Sequence, residues 1–338
     1  MVQTKTAASD LRPRPGADAW KNKPFEELTF AQKALMTLGL VKRDDPNFSF
    51  PKPEKKIPVF LEWQQHKKLF PMIFLTFVLR WIYMRTTGNT IHPLAMYGFT
   101  LLVGSVIVDR QVKFLVDAVK RYGYLDAGAE RDSVPEGMTG KLGKEFLVGF
   151  LVRPLLVHVL SYNRFEMPSL SLWLPVQLFI FTMIVDFIYY WVHRATHEVP
   201  FLWKYHSRHH TTKHPVVYLA AFADEPQEVF DVLGSPVIAY LLYPIGYDAF
   251  LIWSFYFVCV ELLGHTGMRV YYPALITSTL LRPFGLEGIV EDHDLHHRMG
   301  WRDSFNYSKQ SGFWDTLFGT FGERVECVPE NIDYNFSI

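Results

Sequence analysis

The fold is decided by residues 170–210, which read LSLWLPVQLFIFTMIVDFIYYWVHRATHEVPFLWKYHSRHH. The run 170–192 is apolar and exceeds the roughly 20 residues that a helix needs to cross a bilayer. Directly behind it stand five histidines, two in HRATH and three in HSRHH. The stretch therefore predicts a membrane-spanning helix whose polar end carries a cluster of imidazoles.

Further apolar runs predict additional membrane segments on both sides of this stretch. The runs 69–84, 91–108 and 146–160 need their flanks to reach the length of a span, and together with 170–192 they predict about four spans in two hairpins. The runs 229–245 and 249–263 contain or adjoin Pro236, Pro244 and Gly246, which predicts short re-entrant helices in one leaflet. Lysines and arginines precede the first run and crowd the connection between the second and third. The positive-inside tendency then places the histidines on the cytosolic side.

The composition supports a membrane protein and excludes some partners. Of 338 residues, 49% are hydrophobic and 20% charged, and 34 basic side chains balance 34 acidic ones. A net charge of zero provides no field for nucleic acid, so we expect no nucleic-acid partner. Two cysteines, Cys259 and Cys327, cannot form a disulfide framework. The first thirty residues lack the apolar core of a signal peptide, so we expect membrane attachment through internal segments.

These patterns predict an all-α fold of integral-membrane hairpins with re-entrant helices and a cytosolic helical cap that carries a histidine-rich two-metal site. We divide the chain into four parts. They are a polar N-terminal cytosolic arm at 1–68, a first membrane hairpin with its cytosolic connection at 69–144, a catalytic domain at 145–322 and a C-terminal tail at 323–338.

The spacing of the histidines indicates metal binding. On a helix, residues four apart share a face, and so do residues three apart. Nine histidines fall into such groups or stand beside them: His193 and His197; His206, His209 and His210; His293, His296 and His297; and His265 alone. Burying so many imidazoles without a cation would leave ring nitrogens unpaired. Because one ion is saturated by four to six donors, we expect two metal ions to share this set.

The residue types of the candidate ligands exclude only some of the possible metal sites. No cysteine accompanies the histidines, which argues against structural zinc, but imidazole suits zinc, copper, iron and nickel alike. His214 follows His210 by four residues and is a weaker candidate ligand.

Three carboxylates are candidates for supporting roles. Asp186 precedes His193 by two helical turns and Glu261 precedes His265 by one, and each interrupts an apolar run. We expect them, and Asp292, to accept the free ring N–H of a ligating histidine and fix its orientation. Glu261 is also a candidate for direct metal coordination.

HRATH, HSRHH, GHTG around His265, HDLHH and the string FWDTLFGT at 313–320 together resemble the fatty acid hydroxylase and sterol desaturase superfamily, over roughly residues 145–322. The resemblance implies a membrane enzyme of the endoplasmic reticulum that uses two non-haem irons and O2 to attack an unactivated C–H bond. It implies nine ligands, all of them both catalytic and metal-binding: His193, His197, His206, His209, His210, His265, His293, His296 and His297.

Within that superfamily the strings EDHDLHH at 291–297 and AAFADEPQE at 220–228 are similar to C-4 methylsterol oxidases. A sterol is therefore the first substrate to expect, and sphingoid-base or fatty acyl hydroxylases and C-5 sterol desaturases share the same scaffold. Hydroxylation and desaturation both remain open. The chain has no dinucleotide fingerprint and no haem-binding His-Pro-Gly-Gly string. Electrons from NAD(P)H are then expected to arrive through a b-type cytochrome and its reductase.

Two other classes of protein remain open. A membrane metal-binding or transport protein usually carries its site at mid-membrane on the spans. A zinc-dependent hydrolase needs about three protein ligands and a water, which nine histidines exceed.

Overall fold

The computed structural model describes residues 11–51, 55–223 and 228–338, and the fold is helical as predicted. A two-stranded parallel sheet, formed by β1 and β2, is added to the helices. The α-helices are α1 Phe30–Thr37, α2 Glu62–Thr87, α3 Pro93–Tyr122, α4 Thr139–Ser161, α5 Leu174–Glu198, α6 Pro200–His206, α7 Ser235–Leu242, α8 Tyr247–Gly264, α9 Ser278–Leu281, α10 Val290–Arg298 and α11 Phe313–Phe318. The strands are β1 Ile57–Val59 and β2 Ile332–Ser337. A π-helical turn, Glu228–Gly234, leads directly into α7.

Three helices of the described chain are long and apolar enough to cross a membrane, namely α2, α5 and α8. Four long helices, α2 to α5, do form where the first four apolar runs were predicted, and two of these meet that criterion. The run 249–263, which was predicted as a short re-entrant helix, lies within α8. α8 has 18 residues and therefore spans about 27 Å, close to the roughly 30 Å of the hydrocarbon core.

α8 is the central helix of the bundle. It contacts α2, α3, α4 and α5, and nearly all its side chains are buried. Two of its aromatic residues, Phe250 and Trp253, pack edge-on with Phe181 of α5. A helix that is apolar on every side belongs in the interior, surrounded by other helices. This central position brings the C-terminal end of α8, and His265 just beyond it, next to α10.

The two ends of the chain pack against the helical body. Within the predicted polar arm, a capping box between Thr29 and Gln32 begins α1, and Trp20 and Leu35 lie in a buried apolar cluster with Leu142 of α4. The helix α2 begins at Glu62, seven residues before the predicted apolar run. In the predicted tail, β2 pairs with β1, so the C-terminal residues are part of the fold.

The carboxylate of Glu291 fastens the start of this tail to α10. It accepts the main-chain N–H groups of Val325, Glu326 and Cys327 at 3.0, 2.6 and 2.6 Å. Residues 224–227, part of the acidic string at 220–228, lie outside the described residues.

Candidate metal centre

All nine predicted ligands converge at the polar end of α5 and form two adjacent buried clusters. In each cluster the candidate ligand atoms lie within 4.8 Å of one another. The five-histidine cluster consists of His193, His197, His206, His210 and His296. The four-histidine cluster consists of His209, His265, His293 and His297.

Each three-histidine motif serves both clusters. In HSRHH, His206 and His210 belong to the five-histidine cluster, whereas His209 belongs to the other. In HDLHH on α10 the assignment is reversed, because His293 and His297 enter the four-histidine cluster and His296 crosses to the five-histidine cluster. In both motifs the i, i+4 pair enters one cluster and the residue at i+3 enters the other, although His206 ends α6 and His209 and His210 lie in a separate 3₁₀ turn.

The spacing of the ring nitrogens fits shared metal ions. The Nε2 atoms of His193 and His206 are 3.0 Å apart, and those of His210 and His296 are 3.1 Å apart. In the four-histidine cluster, Nε2 of His265 is 3.1 Å from that of His293 and 3.3 Å from that of His209. Two nitrogens bound at about 2.1 Å and at right angles around one ion stand about 3.0 Å apart.

In each cluster one buried Nε2 atom calls for a partner. Nε2 of His197 and Nε2 of His297 are buried and have no hydrogen-bond partner among the described residues. A buried polar atom without a partner costs about 1–3 kcal/mol. A metal ion in each cluster removes that cost, so the residues present fit two bound ions.

Main-chain carbonyl oxygens orient six of the nine rings. Because a carbonyl can only accept, Nδ1 of each of these rings donates, which leaves Nε2 free to face the cluster. The pairs are His193 to Tyr307 at 2.8 Å, His197 to Trp301 at 2.9 Å, His296 to Phe305 at 2.6 Å, His297 to Thr212 at 2.9 Å, His209 to Phe222 at 3.2 Å and His265 to Glu261 at 2.9 Å.

The loop 301–311 supplies three of these carbonyls, and two buried carboxylates hold it in place. Asp186 accepts the N–H groups of Lys309 and Gln310 at 2.9 and 2.8 Å and the hydroxyl of Ser311 at 2.6 Å. Asp315 accepts the N–H groups of Tyr307 and its neighbour at 2.7 and 2.8 Å.

The predicted role of the carboxylates therefore needs correction. Asp186 orients the loop that carries the acceptor of His193, and the ring itself bonds to a carbonyl. Asp292 caps the start of α10 through the N–H of Ile289 and pairs with Arg324. The ring N–H groups donate to main-chain oxygens instead of to these carboxylates, because those oxygens lie within hydrogen-bonding distance of the rings.

Two weaker candidate ligands lie outside both clusters. The Glu261 carboxylate pairs with Arg153 of α4 and, at 2.9 Å, with Lys309, while its main-chain oxygen serves His265. His214 belongs to neither cluster, and its N–H donates to Asp132.

Burial keeps the imidazoles neutral. It lowers the pKa of His209 to about 4, and it lowers the pKa values of His206, His210, His293 and His296 well below the ordinary value. A metal ion needs the neutral ring, so these histidines are ready to bind metal at neutral pH.

An apolar pocket lies between α4, α7 and α8. Its walls include Leu156, Val237, Trp253 and Phe257, and Arg153 is its one charged lining residue. Through Arg153 the pocket contacts the ion pair that links α8 to the loop 301–311.

A helical membrane protein with two adjacent all-histidine clusters is the class that this fold and site define. Residues 178–320 match the family model for fatty acid hydroxylase, and the chain belongs to this family, whose members act on lipids. No solved structure matches the chain.

Three relatives show the range of the family. The chain is 40% identical over 227 residues to fatty acid hydroxylase vlmA of Lecanicillium sp, covering 63% of this chain and 62% of that protein's length. It is 31% identical over 192 residues to very-long-chain aldehyde decarbonylase GL1-8 of Oryza sativa subsp. indica, covering 50% and 67%. It is 28% identical over 175 residues to methylsterol monooxygenase 2-2 of Arabidopsis thaliana, covering 51% and 62%.

Proposed function

We propose that this chain is a membrane oxidoreductase that binds two iron ions through its nine clustered histidines and oxidises an unactivated C–H bond of a lipid with O2. The single observation that carries the proposal is the pair of buried, adjacent clusters of five and four imidazoles. The matched family supports the reaction class. Two electrons per turnover come from an external donor.

The donor set distinguishes this function from the alternatives. A hydrolytic zinc site uses about three protein ligands and a water, whereas each cluster here offers at least four imidazoles. Both cysteines are buried elsewhere and free, so no thiolate of the described chain supports a structural zinc site. A transport site belongs at mid-membrane, whereas these clusters lie at the polar end of α5.

The protein supplies binding, orientation and exclusion of water. Iron in the two clusters supplies the one-electron chemistry with O2 that side chains lack. Main-chain acceptors hold six of the nine rings, and all nine rings are buried. Burial of the whole site keeps water away from the reacting carbon.

A lipid acyl chain is the substrate that we favour. The pocket beside α8 is walled by α4 and α7, and its lining is almost entirely apolar, as an acyl chain requires. The greater identity to a fatty acid hydroxylase than to a methylsterol monooxygenase supports an acyl chain. A sterol remains the second candidate because of the string EDHDLHH at 291–297.

We place the enzyme in the endoplasmic reticulum membrane as a multi-pass protein with the site facing the cytosol. The basic residues near the predicted cytosolic ends support this orientation. A b-type cytochrome and its reductase, fed by NAD(P)H, are the proposed electron donors.

The test compares lipid extracts and metal content of cells that express the wild type, His209→Ala or His296→Ala, one variant from each cluster. We expect an oxygenated or desaturated lipid and about two irons per chain only for the wild type. His92→Asn is the matched control, because His92 lies outside the clusters and asparagine preserves its capping of α3. Zinc in place of iron with unchanged lipids, or substantial turnover in either alanine variant, contradicts the proposal.

A further inference from the structure

Two tryptophans connect the protein surface to the five-histidine cluster. The Trp301 side chain is 40% exposed, and its ring stacks on Trp203 with centroids 6.4 Å apart and an angle of 21° between the planes. The ring centroid of Trp203 lies 5.2 Å from that of His197, 5.7 Å from His210 and 6.1 Å from His206. A continuous series of ring contacts thus leads from the exposed face of Trp301 to three candidate ligands.

The main chain of Trp301 is also tied to the cluster. Its carbonyl accepts from Nδ1 of His197 at 2.9 Å, and its φ of +47° lies in the left-handed region. A bulky residue in this region costs of order 1 kcal/mol or more, so the surrounding contacts must hold it there. The contacts that hold this conformation keep the carbonyl directed at His197 while the indole stays on the surface.

The surface around this pair is cationic. The Arg302 guanidinium lies 4.9 Å from the Trp301 ring centroid, and Lys213 Nζ packs against Gly300. Arg302 and Lys213 are exposed, as is Lys204, which follows Trp203 on α6. Asp303 adds one exposed acid to the same turn. Side chains with so many charges lie in water, and the net positive charge of this group attracts a protein with an acidic surface.

We propose that Trp301, with Trp203 beneath it, is the docking and electron-entry point for an acidic one-electron carrier protein. This inference rests on the proposed function, which requires electrons from outside the chain. In each docking event the carrier loses one electron and one metal ion of the five-histidine cluster gains it. Two events supply the two electrons of a turnover, and no bond is made or broken in the transfer.

Docking is tested first on metal-free protein, so the result does not depend on activity. The probe is a soluble b-type cytochrome domain with an acidic surface, titrated against detergent-solubilised protein at low salt. The double variant Lys213→Glu/Arg302→Glu should bind at least tenfold more weakly, and the difference should shrink as salt rises. Trp301→Ala should weaken binding and Trp301→Phe should retain most of it.

Matched controls separate docking from general effects. Trp173→Ala removes another exposed tryptophan, and Lys42→Glu reverses an exposed charge beyond the end of α1, so both should bind like the wild type. Wild-type affinity in the charge-reversal variant, or equal loss in Lys42→Glu, overturns the proposal. Strong quenching of Trp301 by brominated acyl chains, measured against Trp301→Phe, would place the ring in lipid and also overturn it.

The electron path is tested by stopped-flow reduction of the metal-loaded protein. Trp203→Leu should slow reduction by the cytochrome at least tenfold while leaving its binding and its reduction by dithionite unchanged. Trp203→Phe, which keeps a ring in place, should recover much of the rate. Equal slowing with both reductants assigns Trp203 a structural role and refutes the electron path. If the protein oxidises no lipid at all, the proposed function fails, while binding to metal-free protein still decides the docking surface.

Discussion

Neutralising Glu261 tests whether the buried charges beside the metal centre are balanced as the structure indicates. This carboxylate lies between two cations, Arg153 of α4 and Lys309 of the loop 301–311. The side chains of Glu261 and Lys309 are each 8% exposed, whereas that of Arg153 is 23% exposed. The three groups connect α4, α8 and the loop that supplies carbonyls to His193 and His296.

The magnitude follows from the charges that each substitution leaves behind. Glu261→Gln leaves the buried Lys309 and the partly exposed Arg153 facing a neutral amide, and breaking a buried pair in this way costs about 3–5 kcal/mol. Lys309→Met leaves Glu261 paired with Arg153, so we expect a loss of about 1 kcal/mol. At roughly 2 °C per kcal/mol, these values correspond to about 8 °C and about 2 °C in the apparent melting temperature.

The assay is thermal unfolding in detergent at a fixed scan rate. Glu330→Gln is the control, because it neutralises an exposed carboxylate and should change nothing measurable. The double variant Glu261→Gln/Lys309→Met retains only the partly exposed Arg153 and should therefore be more stable than Glu261→Gln alone. A Lys309→Met variant that unfolds below Glu261→Gln, or a double variant less stable than both, would refute the reasoning.

Three further substitutions test the supports of the site. Asp186→Asn should weaken the anchoring of the loop 301–311, which costs about 1.5–3 kcal/mol and speeds metal loss to a chelator; unchanged metal retention would contradict this. Arg324→Met leaves the buried carboxylates of Glu287 and Asp292 without their cation, so the apparent melting temperature should fall by several degrees. Arg324→Lys should recover only part of this loss. Gly267→Ala should reduce folded yield, because Gly267 has a φ of +55° and a Cβ there meets Arg131 and Asp294.

The sequence could predict which histidines belong to the candidate metal centre, because the spacing of residues along a helix is a local property. Histidines four apart share a face whatever surrounds them, and an apolar run directly before HRATH fixed the position of the group on the fold. The structure accordingly brings together all nine predicted histidines. The division into five and four could not be read from the sequence, because it depends on how α6 and α10 face each other.

The supporting contacts were harder to predict, since they join residues far apart in sequence to main-chain atoms. The acceptor of His193 is the carbonyl of Tyr307, 114 residues away, and no side-chain pattern marks a carbonyl. Asp186 and Glu261 were recognised as unusual because a carboxylate in an apolar run needs a partner. Their partners, the loop 309–311 and the cation Arg153, are set by tertiary packing.

The ends of the helices were also harder to predict than their positions. Apolar runs located every long helix, but charged flanks belong to the helices as well, so α2 begins at Glu62 with Lys67 and Lys68 inside it. Long basic side chains can cover apolar rings, as Lys68 does over Phe60 and Phe114. The prolines that suggested a re-entrant pair precede α8 and so mark its beginning rather than an interruption.

The interleaving of the two clusters explains why the spacing i, i+3, i+4 occurs twice. If each motif served a single metal, an i, i+4 pair would suffice, and the third histidine would have no function. Instead, the outer residues of HSRHH meet His296 of the other motif, and the outer residues of HDLHH meet His209. The separation of the two sites is therefore set by the pitch of two short helical segments and by the packing between them. Two ions bound in these clusters would therefore be held by imidazoles alone, which agrees with Glu261 and Asp292 being paired with arginine and lysine side chains.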